Sequence, residues 1–392
     1  MIVGVPRESF PGERRVALVP AVIPNLAKAG LEVVIETGAG VEAGYPDADY
    51  AAKGAKIAPE RAEVFRAADI ITQVLCYGSN DRTGKADVPL FHRNQVLVGF
   101  LRPLGSVETI TEIASNGVTS FSVELMPRTT RAQSMDALSS MATISGYRAV
   151  LIAADILPKI FPMMTTAAGT ITPARVLILG CGVAGLQAIA TARRLGAVVS
   201  AYDLRPAVKE QVQSLGARFV ELPIEAKDAQ DARGYATAQG EEFYRRQREL
   251  LGKVIAENDV VITAAVIPGK KSPVLVTKEM VAGMARGSVL VDLASERGGN
   301  CELTQGGEKI EVNGVTIIGW YNLASTVPYH ASQMYARNLT AFLLLMVKDG
   351  KLQIDPKDEI IRETLLTQGG EVVNARLREF FKLPALATTG GA

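Results

Sequence analysis

Residues 176–203 read VLILGCGVAGLQAIATARRLGAVVSAYD. An apolar strand runs into Gly180-x-Gly182-x-x-Gly185, a helix of small and apolar residues follows, and a second strand ends at Asp203. This order constrains the fold more than the three glycines do, because a strand, a crossover helix and a second strand within so short a span must form a parallel βαβ unit. Gly180 suits the tight turn, Gly182 lets backbone approach a pyrophosphate, and Gly185 lets the helix lie close to the strand. The helix then points its free N–H groups and positive dipole end at the phosphates, with Val183 and Ala184 in its first turn. Asp203 stands about twenty residues on, where a carboxylate can hydrogen-bond the adenosine ribose hydroxyls, with Leu204 and Arg205 beside it. A carboxylate there repels a 2′-phosphate, so the expected ligand is NAD(H) rather than NADP(H). Ala265 and Pro268, in TAAVIPG, complete the expected cofactor edge.

At 392 residues the chain suits two domains, each with its own core. Short β-branched runs at 2–5, 32–36, 69–75 and 96–100 alternate with helical stretches such as 20–30, which predicts a first α/β domain over 1–135. A small-residue helix pattern over 134–160 carries the chain into a Rossmann domain at 136–329, with further strands at 198–203, 218–221, 259–266, 288–293 and 315–319. A helix at 331–347 returns, so that 330–384 packs on the first domain, and 385–392 reads as a tail. The expected fold class is α/β, with two Rossmann-like domains, parallel sheets, and NAD bound in the cleft between them.

Forty-two basic against forty-one acidic residues, without a basic block, exclude nucleic acid as an expected partner. Cys76, Cys181 and Cys301 lie far apart, without a CxxC, and read as reduced thiols rather than a disulfide framework or a metal site. Pro6, Glu8 and Arg14 come too early for a signal peptide. Arg148, Asp155 and Lys159 interrupt the most hydrophobic region, and AFLLLMV at 341–347 is far short of the roughly 20 residues a spanning helix needs. The chain is expected to be soluble by itself. Residues 222–249 are polar and lie between two strands, with Tyr235 near their centre. Loops of that length are usually lids or disordered, which makes Tyr235 a candidate lid aromatic, while Glu241–Glu249 also fits a solvated helix.

The segment Glu124-Leu-Met-Pro-Arg-Thr-Thr-Arg-Ala-Gln-Ser-Met-Asp-Ala-Leu-Ser139 carries a further signal. Together with VPRESFPGERRVALVP, FPMMTTAAGTITPARVLILGCGVAGLQ, TAAVIPGKKSPVLVT, DLASERGGNC and RNLTAFL, it resembles the NAD(H)-binding component, domain I, of proton-translocating nicotinamide nucleotide transhydrogenases, over nearly the whole chain. Alanine dehydrogenases share the fold pattern. They are similar through Arg15, which in that family holds the substrate carboxylate, but they also use a lysine and a histidine. Those two positions here fall near Leu75 in QVLCY and at Arg102 in GFLRPL. Amino acid deamination needs such proton carriers, whereas hydride transfer between two nicotinamides needs only positioning and exclusion of water. His92 and His330 lie outside these motifs and suit surface or packing roles.

The resemblance implies that Arg128, Gln133, Asp136 and Ser139 surround the nicotinamide end. Gln133 would reach toward a second nucleotide, and Arg128 and Asp136 would grip the carboxamide side. It also implies that Tyr235 closes over bound NAD(H), that NADP(H) sits on a partner subunit, and that membrane-spanning subunits carry the proton. A homodimer, peripheral on the cytoplasmic side of the inner membrane, is implied as well. The competing readings are an alanine-dehydrogenase-like amino acid oxidoreductase and a dinucleotide-binding scaffold without chemistry.

Overall fold

Two sheets with the same internal wiring organise the molecule. The computed structural model describes residues 1–224, 229–230, 237, 239–267, 269–348 and 350–384. It separates into two units, 1–141 with 325–392, and 142–324. The sequence expectation put these divisions at 135/136 and 329/330.

Unit 1 begins with β1 (Ile2–Val5), β2 (Glu32–Glu36), β3 (Lys56–Ala58), β4 (Ile70–Leu75), β5 (Val96–Phe100) and β6 (Thr119–Ser122). In unit 2 a short hairpin, β7 (Met164–Thr166) and β8 (Gly169–Ile171), precedes β9 (Arg175–Leu179), β10 (Val198–Tyr202) and β11 (Arg218–Phe219). The unit continues with β12 (Val260–Thr263), β13 (Val289–Asp292), β14 (Lys309–Val312) and β15 (Val315–Ile318). The chain returns to unit 1 for the small pair β16 (Val347–Lys348) and β17 (Lys351–Leu352), then β18 (Leu365–Gln368) and β19 (Glu371–Val372).

The unit 1 sheet runs β19-β18-β6-β5-β4-β1-β2-β3, parallel from β6 to β3, with β18 added antiparallel to β6. The unit 2 sheet runs β11-β10-β9-β12-β13-β15-β14, parallel apart from the β14–β15 edge. The first strand of each sheet lies beside both the second and the fourth (β1 beside β2 and β4; β9 beside β10 and β12). Each sheet therefore reverses its winding there, at the position where open α/β sheets bind ligands at the strands' carboxyl ends. β9 shows why the strands are continuously apolar. Val176 and Ile178 pack into one core layer, Leu177 and Leu179 into the layer on the other face. A strand covered on both faces gains nothing from polar alternation, and each side chain so buried contributes about 1.5–3 kcal/mol.

The expected helix over 134–160 is Ala137–Ile156, shorter at both ends. Asp136 caps its start, and Pro158 disfavours helical backbone at the residue before it. It is the one helix, among the described residues, long and apolar enough by length and composition to cross a membrane. Its Ala149, Val150, Ile152 and Ala153 are nevertheless in the core of unit 2. The polar stretch expected as a lid or solvated helix contains a helix over Glu241–Ala256, which buries Gln247, Leu251 and Ile255.

Candidate functional site

In unit 2, β9 ends at Leu179 and the glycine turn follows at once. Gly180 has φ +96°, and a Cβ on it would meet the backbone of Ala264 and Ala265 at 2.8 Å. A Cβ on Gly185 would lie 1.9 Å from the Gly180 carbonyl oxygen, so the helix can sit this low only with glycine there. A Cβ on Gly182, by contrast, would meet nothing within 4 Å. That open face lies at the start of the Val183–Arg194 helix, whose first N–H groups, at Val183, Ala184 and Gly185, have no acceptor within the helix. This cradle fits a pyrophosphate. On its other side Gly146 of the 137–156 helix approaches Ala184, where a Cβ would lie 2.1 Å from the Ala184 carbonyl oxygen. The sequence reading missed this support, although its small-residue pattern was the available signal.

Asp203 is buried and accepts four hydrogen bonds. The Cys181 N–H reaches Oδ2 at 2.7 Å, the Arg205 N–H and Nε reach Oδ1 at 2.9 Å, and Arg205 Nη2 reaches Oδ2 at 2.8 Å. The expected ribose acceptor thus also ties the glycine turn to the second strand, and it carries its own cation. Leu204, between the pair, is partly exposed.

Ala265 follows β12 and is clamped by Asn300. Its N–H donates to Asn300 Oδ1 at 3.0 Å, and Asn300 Nδ2 donates to the carbonyls of Ala265 and Pro273, both at 2.8 Å. Asn300 is held in turn by Asp292, which accepts from the Asn300 N–H at 2.8 Å, from Cys301 and Ala294, and from the hydroxyls of Thr263 and Thr304. The sequence reading singled out neither residue, because Asp292 and Asn300 belong to no spaced motif. Pro268 and Tyr235 lie outside the described residues.

The remaining candidates fall in unit 1, in and beside a 3-10 helical turn, Thr130–Met135. Ala132 and Met135 are buried, whereas Arg128 and Gln133 are exposed. Asp136 starts the 137–156 helix, accepting from the Ser139 N–H at 2.8 Å and from the Ser139 hydroxyl at 2.5 Å. Both residues therefore have a structural task as well as the expected functional one.

Unit 1 also holds the positions that decide between the two enzyme readings. Arg15 is buried and forks onto Glu13, Nε to Oε1 at 2.7 Å and Nη2 to Oε2 at 2.5 Å. Leu75 ends β4. Arg102 follows β5 with φ +50°, exposed, its guanidinium 3.6 Å from Asp81. The strand-end N–H groups meet carboxyls of the same chain: Val74 and Leu75 donate to Glu8 at 2.6 and 3.1 Å, Leu101 and Arg102 to Glu124 at 3.1 and 2.7 Å. Desolvation pushes the Glu8 carboxyl up to about 8, aided by neighbouring Glu13. His92 contacts the Arg93 and Ala68 carbonyls and His330 lies edge-on to Tyr329, packing roles in both cases. Among the described residues no group of histidine, cysteine and carboxylate side chains could hold a metal ion.

Two family models match the chain. The alanine dehydrogenase/PNT N-terminal domain covers residues 4–145, and the C-terminal domain of the same family covers 149–375. The chain belongs to the alanine dehydrogenase/PNT family. Within that family, the first portion of the NAD(P) transhydrogenase alpha subunit of Rhodospirillum rubrum, a separate polypeptide, is 46% identical over 380 residues, 96% of this chain and 99% of the relative. The crystal structure of transhydrogenase from Sinorhizobium meliloti matches with a TM-score of 0.82 and 42% identity, over 96% of this chain and all of that one. An L-alanine dehydrogenase structure matches almost as well in fold, TM-score 0.80 over 97% of this chain and 99% of that one, but at 25% identity. Fold alone does not separate the two branches. Sequence does, and the chain groups with the transhydrogenase alpha subunits.

Proposed function

We propose that this chain binds NAD(H) on unit 2, at the carboxyl ends of β9 and β12, and exchanges hydride directly with NADP(H) held on a partner subunit. The reaction is NADH + NADP⁺ ⇌ NAD⁺ + NADPH. Bound NAD(H) supplies or accepts the hydride at its nicotinamide ring. The protein's part is to bind, orient and exclude water. The open cradle at Gly182 receives the pyrophosphate, and Asp203 offers an anionic acceptor to the ribose. Arg205, the adjacent cation, is committed to that carboxylate rather than to a 2′-phosphate, which favours NAD(H). Arg128, Gln133, Asp136 and Ser139 serve the nicotinamide end.

The observation that carries this reading is the chemistry of the strand ends in unit 1. Leu75 and Arg102 stand where an amino acid dehydrogenase would need its lysine and histidine, and neither shuttles protons near neutral pH. A C–H to C–H transfer needs no such group. Proton translocation then belongs to membrane-spanning partner subunits, with this chain as a homodimer on the cytoplasmic side of the membrane. The names of the relatives, a subunit and a portion of a subunit, support separate partners.

The test is stopped-flow hydride transfer, mixing the protein and NADH with a purified NADP(H)-binding partner carrying an NADP⁺ analogue. A burst that needs both proteins is expected. Tight NADH binding without transfer, or NAD⁺ reduction by alanine with this chain alone, would sink the proposal.

A further inference from the structure

A 3-10 helix has three residues per turn, so positions i and i+3 lie on one face. Along Thr130–Met135 this separates three faces. Ala132 and Met135 form the buried one. Arg131 and Ser134 form a second. Gln133 falls on the third, with Thr130 before it and Asp136 just after the turn.

The second face is tied down within unit 1. The Arg131 guanidinium gives two parallel hydrogen bonds to Asp358, Nη1 to Oδ2 and Nη2 to Oδ1, both 2.7 Å. Asn338, on the Pro328–Met346 helix, donates from Nδ2 to the Ser134 carbonyl at 2.8 Å. Asp358 is a fixed anchor, because it also accepts the Ile360 N–H at 2.8 Å and caps the Glu359–Thr364 helix. Its hydrogen bonds from Arg131 hold the carboxyl below its ordinary range.

Arg131 is half exposed, and an exposed ion pair adds little stability. A planar two-bond fork contributes orientation instead. Orientation is what this turn lacks by itself. Its own hydrogen bonds have the poorer 3-10 geometry, and the buried face offers one methyl and one flexible thioether. Rotation of the turn about its axis would leave Ala132 and Met135 buried while swinging Gln133 through an arc.

We propose that Arg131 is a positioning residue for hydride transfer: its fork onto Asp358 sets the rotation of the 130–135 turn and so the place at which Gln133 is presented. The proposal rests on the reading of Gln133 given above. Misplacement by about 1 Å can cost roughly a hundredfold in rate, so loss of the fork is expected to slow transfer on the order of tenfold.

The experiment is a double-mutant cycle on the full chain, read by stopped-flow hydride transfer with the NADP(H)-binding partner, with NADH affinity measured separately by fluorescence. Arg131→Ala should slow transfer and leave the NADH dissociation constant unchanged. Arg131→Lys keeps the charge but not the fork, and should be slow at an unchanged melting temperature, which separates orientation from stability. Arg131→Ala combined with Gln133→Asn should be no slower than Gln133→Asn alone, because the two act through one side chain. Wild-type speed in Arg131→Ala beside a slow Gln133→Asn overturns the positioning role alone, as do fully additive effects. Wild-type speed in Gln133→Asn overturns the functional reading of the turn together with it.

Discussion

Both sheets place their first strand between the second and the fourth, and in both an acid at the end of the second strand holds the turn after the first. Glu36 accepts the Arg7 N–H at 2.8 Å in unit 1, and Asp203 accepts the Cys181 N–H at 2.7 Å in unit 2. Each unit also folds an acid-x-arginine triplet into a forked pair, Glu13 with Arg15 and Asp203 with Arg205. The two units diverge immediately beyond the first strand. After β9 comes the glycine turn and a helix at Val183. After β1 the chain continues through Pro6, Glu8 and Glu13 and turns helical only at Pro20. The strand-end N–H groups of unit 1 are taken by Glu8 and Glu124, whereas unit 2 presents an open cradle and a helix N-terminus. Identical wiring specifies where a ligand can bind, and the residues after the first strand decide whether that place receives a ligand or a side chain of the same protein.

The harshest way to break this contrast is Gly185→Ala. With backbone 1.9 Å from the added Cβ, the helix must move off β9. We expect NADH binding to be abolished in a fluorescence titration, with a loss of about 1–3 kcal/mol in denaturant unfolding. Retained affinity would show that the turn is not the cradle. Next in size, Asp203→Ala should weaken NADH binding by about 1–3 kcal/mol through lost charge-assisted hydrogen bonds. The matching change in the other sheet, Glu36→Gln, should leave the NADH dissociation constant alone. Equal effects on affinity would erase the distinction between the units.

A third test sharpens the contrast through pH. The Glu8 carboxyl rises from 4.5 to about 8 in the folded chain, so the fold favours its neutral form. Its stabilising contribution is full below pH 4.5 and is lost as pH climbs toward 8. Melting temperature should therefore decline across that window, and Glu8→Gln should flatten the decline. A variant with the wild-type slope would mean that Glu8 is ionised throughout. The smallest effect concerns the thiols. Cys76, Cys181 and Cys301 are buried, and burial pushes all three thiols up, Cys301 to about 11. A thiol reagent should label none of them in the native protein and all three in denaturant. Fast native labelling of one would mark a local opening.

How much of the molecule is legible in its sequence depends on the range of the interactions. β1, β2, β5 and β9 to β13 follow from short β-branched runs, and the glycine turn from its spacing, because these signals are local. β6 does not. Thr119–Ser122 reads TSFS, polar by composition, yet all four residues are buried. The Ser120 hydroxyl lies 2.7 Å from the Thr367 hydroxyl of β18, a partner 247 residues away that no local pattern can reveal. β3 is too short to show a period. Among site residues, Asp203 is found by its distance from the glycines, but its pairing with Arg205 is not, because two nearby charges in a sequence do not disclose which way they turn. Asn300 and Arg131 act through geometry alone and leave no pattern to read.

The contact between β6 and β18 bears on the order in which the molecule is made. Synthesis delivers the first six strands early, then all of residues 142–324, and only afterwards β18, the strand that covers the open edge of β6. Unit 2 is complete while unit 1 still waits with an unpaired edge, an invitation to wrong pairing during translation. A ribosome that stalls shortly before Leu365 would release a chain with a finished nucleotide fold and an unfinished neighbour. Quality control would meet that chain through the exposed edge of β6.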